Sequence, residues 1–384
     1  MVIDAHLLKN ICKLKNLRSL VLDSVDFARN LAEHLFKKMP PITSLRLHQL
    51  DIDEDQNVIA RIVNVANVQT LSATKCAQVL PLLPHTLALV ELYLTSVEST
   101  TALWDVISRL TALTTLAMEC VAVQDDHSPP HQLSASSLPN LRRLTAPPSF
   151  SSVVADRSLS YINFMDGFQL DQVGPFIHLS LQADEVSRYF TRSSSSLISL
   201  LIPLEFYSIG PFCEKFPNLQ NLTIMSGHPN FSRSHRPGVI GDDAYNLFQS
   251  VSCYSSLHHS RGHKNKTIVV QFINEVTAKW PPAPSVKSLR LELQGDSLVG
   301  IHDSVFLFDL ELQRKFITRI VAAFPSVLRV QFFEYVTWTR EPCGGKWTGH
   351  IPFEFHSRIR WDLSQDHVVR KDVDGLLLPF LVIL

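Results

Sequence analysis

The chain has 384 residues and a mass of 43.3 kDa, which suits two or three domains or one long array of repeats. Its content of 45% hydrophobic and 18% charged residues excludes a disordered chain, a collagen and a coiled coil. With 35 basic and 36 acidic side chains, the net charge of −1 gives no reason to expect nucleic acid or an acidic membrane as a partner.

The first residues predict a short helix and do not form a signal peptide, because they lack a basic segment and a continuous apolar stretch. Ile3, Leu7, Leu8 and Ile11 are spaced as one face of a helix, and Asp4 is placed to cap its start. We expect the strand that follows to be an edge shielded only by this helix, with further chain or a partner needed to cover it.

A phrase of the form Leu-x-x-Leu-x-Leu recurs along the chain. The first copies are Leu17-Leu20-Leu22, Ile42-Leu45-Leu47, Val68-Leu71-Ala73, Leu89-Leu92-Leu94, Leu113-Leu116-Met118 and Leu141-Leu144-Ala146. A looser series follows: Leu159-Ile162-Phe164, Phe176-Leu179-Leu181, Leu197-Leu200-Ile202 and Leu219-Leu222-Ile224, then Val286-Leu289-Leu291 and Val327-Val330-Phe332. Most intervals between successive middle residues lie in or near the 20–29 residues that are typical of leucine-rich repeats.

The phrase predicts one short strand per copy, because alternate residues of a strand point to the same side. Stacked copies would form a parallel sheet with the leucines inside, and the intervals leave room for a crossover after each strand. Five crossovers have helical spacing: Phe27-Leu31-Leu35-Met39, Val58-Ile62-Val65 with Asp53 as a possible N-cap, Leu103-Ile107-Leu110, Ile268-Val269-Phe272-Ile273-Val276, and Phe316-Ile320-Ala323. The predicted fold class is therefore α/β, a leucine-rich-repeat solenoid with a curved parallel sheet and with helices and loops on its convex side.

Several strands are preceded by a proline-containing phrase. It occurs as Leu138-Pro139-Asn140-Leu141, Phe216-Pro217-Asn218-Leu219, Phe324-Pro325-Ser326-Val327 and Met39-Pro40-Pro41-Ile42. With the irregular repeats and long inserts, this phrase resembles the divergent leucine-rich repeats of fungal F-box-type proteins over residues 14–333. The resemblance implies substrate recognition for a ubiquitin ligase. The sixteen residues before Leu17 do not resemble an F-box, so a Skp-type adaptor and a cullin are implied as partners only with an F-box upstream.

Residues 226–266 interrupt the repeats and are predicted to be an insert. They are basic and contain five histidines, of which His259 and His263 are four residues apart. A docking loop or a weak metal site is one interpretation, and a solvated loop around a short helix is the one we favour, because no acidic or cysteine ligand accompanies the histidines. Residues 147–158 and the serine run 193–196 are predicted to be exposed loops.

Residues 334–384 are predicted to be an aromatic-rich capping segment after a solenoid of residues 1–333. Trp338, Trp347 and Trp361 stand in polar surroundings near a Gly-rich turn, which is typical of strands joined by a hairpin. Cys343 and His350 suggest a nucleophile and a base, but no orienting group or oxyanion motif accompanies them. The final apolar run, residues 376–384, is too short to span a bilayer.

The six cysteines match no zinc or disulfide spacing and predict buried thiols in a reducing compartment. We therefore expect an intracellular protein, cytoplasmic or nuclear, that is not inserted in a membrane. Nucleotide, dinucleotide, zinc-protease and hydrolase motifs are missing from the sequence, so neither a cofactor nor catalysis is expected.

The predicted function is a non-catalytic scaffold that binds a polypeptide partner through the concave face of the sheet. The residues between the anchors of each copy would line that face. The partner-binding candidates among them are Arg46, Tyr93, Asn163, Arg290 and Gln331, since tyrosine and arginine are enriched in binding hot spots. The alternative is an enzyme with its site in the His-rich insert or the C-terminal segment.

Overall fold

A computed structural model describes most of the repeats. The described residues are 2–28, 31–48, 52–74, 77–83, 87–123, 133–134, 136–146, 153, 157–164, 190, 192–203, 215–226, 276–277, 283–293, 310–332, 336–342 and 345–350. The protein is of the α/β class, with few helices and a large, mostly parallel sheet of thirteen strands. The chain divides into two compact units, Met1–Ser196 and Leu197–Leu384, so the predicted boundary near residue 333 lies inside the second.

The described strands of the first unit are β1 (Val2–Ile3), β2 (Ser19–Asp23), β3 (Asp26–Phe27), β4 (Ser44–His48), β5 (Thr70–Thr74), β6 (Glu91–Ser99), β7 (Thr115–Val123), β8 (Arg143–Ala146) and β9 (Tyr161–Phe164). Its helices are α1 (Ala5–Lys13), α2 (Glu33–Phe36), α3 (Ile52–Ala66) and α4 (Thr101–Arg109), with a 3-10 helix at Ala77–Leu82. The second unit has β10 (Ser199–Pro203), β11 (Asn221–Ser226), β12 (Ser288–Leu293), α5 (Leu310–Ala323), β13 (Arg329–Phe332), β14 (Val336–Thr339) and β15 (Thr348–His350).

In the first unit the strand order is β2-β4-β5-β6-β7-β8-β9, and every neighbouring pair is parallel. The middle residue of each repeat lies opposite that of the next: Leu20, Leu45, Leu71, Leu92, Leu116, Leu144 and Ile162 form one continuous row. All of these except Leu20 are fully buried. The predicted parallel alignment and inward direction of the leucines are therefore confirmed.

Leu20 is only half-buried, whereas Leu22 on the same strand is buried. Among the described strands, β2 stands at the end of the strand order and pairs within this sheet with β4 alone. A side chain on such a strand has a neighbouring strand on one side only, which leaves part of it in water. The position of β2 agrees with the edge strand predicted from the sequence.

In the second unit, β10 to β13 are parallel and carry the corresponding row Leu200, Leu222, Leu289 and Val330. Strands β14 and β15 then continue antiparallel, with Trp338 opposite Val330 and Gly349 opposite Trp338. Two strands of the C-terminal segment are thus present where the hairpin was predicted. The Trp338 indole is buried, and its N–H donates to Gln313 Oε1 of α5 over 2.8 Å, which joins the hairpin to the helix.

A tight turn precedes most strands and explains the proline phrase. The Leu141 N–H donates to the Leu138 carbonyl, and the same bond recurs between Leu219 and Phe216 and between Val327 and Phe324. Proline occupies the second position of these three turns, where its fixed φ suits a β-turn. The first and last residues of each turn are buried, so the turn anchors the start of the strand in the core.

Helix α1 confirms the predicted capping. The side chain of Asp4 accepts the Leu7 N–H over 2.8 Å, and Leu8 is buried. The placement of Ile3 in this helix was wrong: Ile3 belongs to β1 and lies opposite Phe27 of β3 in a two-stranded parallel sheet. Its side chain is buried as the helical spacing implied, because a residue directly before an N-cap faces the same core.

Two other crossovers differ from their predicted helices. Phe27 lies in β3 and Met39 lies beyond α2, so that helix has only four residues. The apolar side chains of the segment are inside, but its proline-rich end stops the helix early. Asp53 lies within α3 and does not cap it, since the helix already includes Ile52. Helices α4 and α5 cover their predicted segments, with Leu110 as the C-cap of α4.

The serine run 193–196 is not simply an exposed loop. Ser193 is fully buried, and its hydroxyl donates to the Arg157 carbonyl over 2.6 Å and accepts the Leu159 N–H over 3.2 Å. The Arg157 guanidinium is also buried, and it donates to the carbonyls of Val153, Ser134 and Ser137. Serine is used here because a small hydroxyl can satisfy backbone groups inside the core. The insert 226–266 lies outside the described residues except for Ser226 of β11.

Candidate functional site

The outward side of the sheet in the first unit carries a row of dissimilar side chains. We call it the central row: Val21, Arg46, Ser72, Tyr93, Ala117, Thr145 and Asn163. Each member lies opposite the next on the neighbouring strand, directly between two inward anchors. The structure therefore brings Arg46, Tyr93 and Asn163 into the one row that the sequence predicts.

Exposure separates these three residues. Arg46 is exposed, and Tyr93 keeps 36% of its surface in water in spite of its size. Asn163 is only 8% exposed, so less of its side chain is available to a partner than that of Arg46 or Tyr93, and its role in partner binding stays a prediction. Alternation determines the side of the sheet on which a residue lies, but not what packs over that side. The buried Asn163 Oδ1 accepts no hydrogen bond from any residue that the structure describes.

A second outward row lies two residues earlier on each strand, on the same side of the sheet. We call it the leading row: Ser19, Ser44, Thr70, Glu91, Thr115, Arg143 and Tyr161. The sequence analysis considered only residues between the anchors and missed this row. The same alternation, carried two residues back from Tyr93 and Thr145, identifies Glu91 and Arg143.

Glu91 connects the two rows. One of its carboxylate oxygens accepts hydrogen bonds from Thr70 Oγ1 over 3.2 Å and from the Tyr93 hydroxyl over 3.4 Å. Partial burial raises the pKa of Tyr93, and the adjacent Glu91 carboxylate raises it further, while Arg143 and Arg46 act in the opposite direction. The Tyr93 phenol is therefore a neutral group that donates a hydrogen bond to Glu91. The charges that act on it are those of Glu91, Arg143 and Arg46.

Arg143 stacks on the ring of Tyr161, the next member of the leading row, with 4.7 Å between the guanidinium carbon and the ring centroid. Stacking leaves the edge of the guanidinium group available to a carboxylate. Neither Arg143 nor Arg46 forms an ion pair with any carboxylate in the described part of the chain. Arg46, Glu91, Tyr93, Arg143 and Tyr161 together form what we call the arginine–tyrosine cluster.

A third outward row, at the carboxyl ends of the strands, is acidic. It contains Asp23, His48, Thr74, Thr95 and Glu119. Nδ1 of His48 lies 3.0 Å from Oδ1 of Asp23, and the bonds from His48 and then from Ser24 lower the pKa of Asp23. The arginines of these rows thus lie in the first two, together with the single carboxylate of Glu91, whereas the third row carries two carboxylates and no arginine among the members named here.

The second unit has its own central row, formed by Leu201, Thr223, Arg290 and Gln331 and continued by Thr337. The two candidates in it contact their own strands. Arg290 forms an ion pair with Glu292, and the Gln331 side chain accepts a hydrogen bond from Arg329 over 3.5 Å. Both are half-buried, so these side chains are less available to a partner than Arg46.

The groups of the enzyme alternative are not brought together in the described structure. Cys343, His259 and His263 lie outside the described residues. His350 is exposed on β15, where its Nε2 lies 3.2 Å from Thr339 Oγ1. Within the described ranges, no three His, Cys, Asp or Glu side chains are close enough together to hold a metal ion. Cys12 carries a half-buried free thiol that donates to the Leu35 carbonyl.

No protein-family model and no curated protein matches the chain. Across the described segments, no helix is both long and apolar enough to cross a membrane.

Proposed function

We propose that the repeats form a leucine-rich-repeat solenoid and that the protein is a non-catalytic scaffold that binds a polypeptide through the outward side of its sheet. The observation that carries this proposal is the contrast between the two sides of the first unit. The inward rows consist of buried leucines and other apolar residues, whereas the outward rows combine arginine, tyrosine, serine and threonine.

The chemistry of the outward rows suits a protein partner. Tyrosine and arginine are enriched among the few residues that dominate the binding free energy of protein interfaces, and they are surrounded here by small residues. Ser72 lies directly beside Tyr93 and is half-buried, whereas Ala117 on the other neighbouring strand is buried, so a partner side chain can approach the Tyr93 ring from the Ser72 side. A sheet of paired strands also holds these groups at fixed spacings, which limits the entropy lost on binding.

The test is site-specific crosslinking in the cells that make the protein naturally. A photoreactive residue is placed at position 72 on the outward side or at position 61, an exposed arginine of α3. We expect the first variant to crosslink a distinct set of proteins and the second variant not to do so. The same proteins crosslinked from position 61, or none crosslinked from position 72, would contradict the proposal.

The crosslinked proteins also test the ligase function implied by the F-box resemblance. A Skp-type adaptor and a cullin in the same complexes would support substrate recognition for a ubiquitin ligase. If neither protein is found in complexes that do crosslink at position 72, the scaffold function would still be supported and the ligase function would be rejected. For either outcome, we propose that the protein is intracellular, either cytoplasmic or nuclear.

A further inference from the structure

The arginine–tyrosine cluster has a charge arrangement that selects among polypeptide partners. It contains two guanidinium groups against the single carboxylate of Glu91, and that carboxylate is already bonded to Thr70 and Tyr93. Within the described part of the chain, Arg46 and Arg143 retain donors without a carboxylate partner, and both are exposed. A partner that supplies carboxylates would gain charge-assisted hydrogen bonds there.

We infer that the partner presents an acidic segment that crosses strands β4 to β8, with one carboxylate on Arg46, an apolar side chain against Tyr93, and a second carboxylate on Arg143. This inference rests on the proposed function, because it assumes that the outward side binds a polypeptide. It adds the chemical class of the bound segment and its direction across the strands.

The sheet sets the spacing of the two carboxylates. Tyr93 lies two strands from Arg46 and two strands from Arg143. Because neighbouring strands are about 4.8 Å apart, the two arginines are separated by about 19 Å across the sheet. An extended peptide rises about 3.3 Å per residue and alternates its side chains, so the acidic residues would be about six positions apart. The apolar residue would lie two or four positions after the first of them, so that all three side chains face the sheet.

The rows also define where the segment lies along the strands. The third row holds Asp23 and Glu119, which would repel carboxylates at the carboxyl ends of the strands. The acidic segment is therefore placed on the leading and central rows, with its carboxylates at Arg46 and Arg143, each of which lies two strands away from Glu91. Within them, Arg143 is already oriented by its stacking on Tyr161, so less of its side-chain freedom is lost on binding.

The experiment selects a phage library of random 12-residue peptides on the immobilised full-length chain and on the variant that combines Arg46→Glu with Arg143→Glu. We expect the natural chain to enrich peptides with two acidic residues about six apart and an apolar residue between them. We expect the double variant not to enrich them. Synthetic peptides are then measured by fluorescence anisotropy.

Each single change, Arg46→Glu or Arg143→Glu, is expected to weaken the best acidic peptide by about tenfold or more, because attraction becomes repulsion. The milder Arg46→Gln and Arg143→Gln variants should weaken it less. Arg61→Glu on α3 is the matched control and should leave the affinity unchanged. Binding should also weaken as salt is added. Circular dichroism melts confirm that each variant is folded.

The outcomes separate this inference from the proposed function. If the enriched peptides contain no acidic residues and no longer bind the Tyr93→Ala variant, the inference of an acidic segment is wrong. The outward side of the sheet would still be the binding surface. Acidic peptides that bind the two Arg→Glu variants unchanged, or no enrichment at all, would also overturn the inference. The proposed function itself fails if position 72 gives no crosslinks in cells, or if position 61 crosslinks the same proteins.

Discussion

Two neighbouring side chains of strand β6 have opposite environments. Leu92 is fully buried in a row that is leucine from Leu20 to Leu144, whereas Tyr93 is exposed in a row whose members differ in size, charge and polarity. A core requires dense apolar packing at every repeat, so its row is uniform. An outward row is free of that requirement, so its residues can differ from strand to strand. The partner recognition that we propose depends on these differences.

The largest effect is expected where a charge is placed on the inward side. Leu92→Asp puts an unpaired carboxylate in the core and should lower the free energy of unfolding by at least about 4 kcal/mol. Val21→Asp makes the same kind of change at an outward residue that is 58% exposed, and it should alter the free energy by less than about 1 kcal/mol. Urea unfolding followed by circular dichroism measures both. Similar losses of unfolding free energy in the two variants would mean that the inward and outward sides do not differ in how strongly a charge destabilises the fold.

The second prediction compares a strand in the middle of the sheet with the strand at its end, and the expected losses of unfolding free energy are smaller. Leu45→Ala removes a fully buried side chain that is flanked by strands on both sides, and it should cost about 2–5 kcal/mol. Leu20→Ala should cost roughly 1–2 kcal/mol, because Leu20 is half-buried on β2 and leaves no closed cavity. The two midpoints of urea unfolding are compared at equal protein concentration. A larger loss at Leu20 would show that β2 is as well packed as the interior strands.

The uniform side of the sheet is also the side that could be predicted from the sequence. Leu-x-Leu at repeated intervals identifies a strand because its apolar side chains must alternate, and the register between Leu71 and Leu92 follows from aligning the copies. Crossover segments were less predictable. The spacing of Phe27 and Met39 fits a helix, but Phe27 is buried on the short strand β3 and Met39 is half-buried beyond the end of α2.

The candidate site was predictable only in part, for a physical reason. Alternation identified Tyr93 and Arg46 as outward residues, but it carries no information on what lies over Asn163. Stacking between Arg143 and Tyr161 depends on two chain segments that become neighbours only in the folded sheet. Such contacts between strands have no signature within a single repeat.

The smallest expected effect lies on the outward side, at Asp23. The hydrogen bonds from His48 and Ser24 favour the ionised carboxylate and hold the pKa of Asp23 below its ordinary value in the folded protein. The stabilisation is therefore present above the ordinary pKa of aspartate and is lost as the pH falls through the lower folded value. The carboxyl carbon of Asp23, followed by NMR through an acid titration, should titrate at a higher pH in His48→Ala. Because the pair is exposed, the urea midpoint near neutral pH should hardly change. An unchanged titration in His48→Ala would show that the neighbouring strands do not couple through this pair, and that the outward rows act as independent side chains.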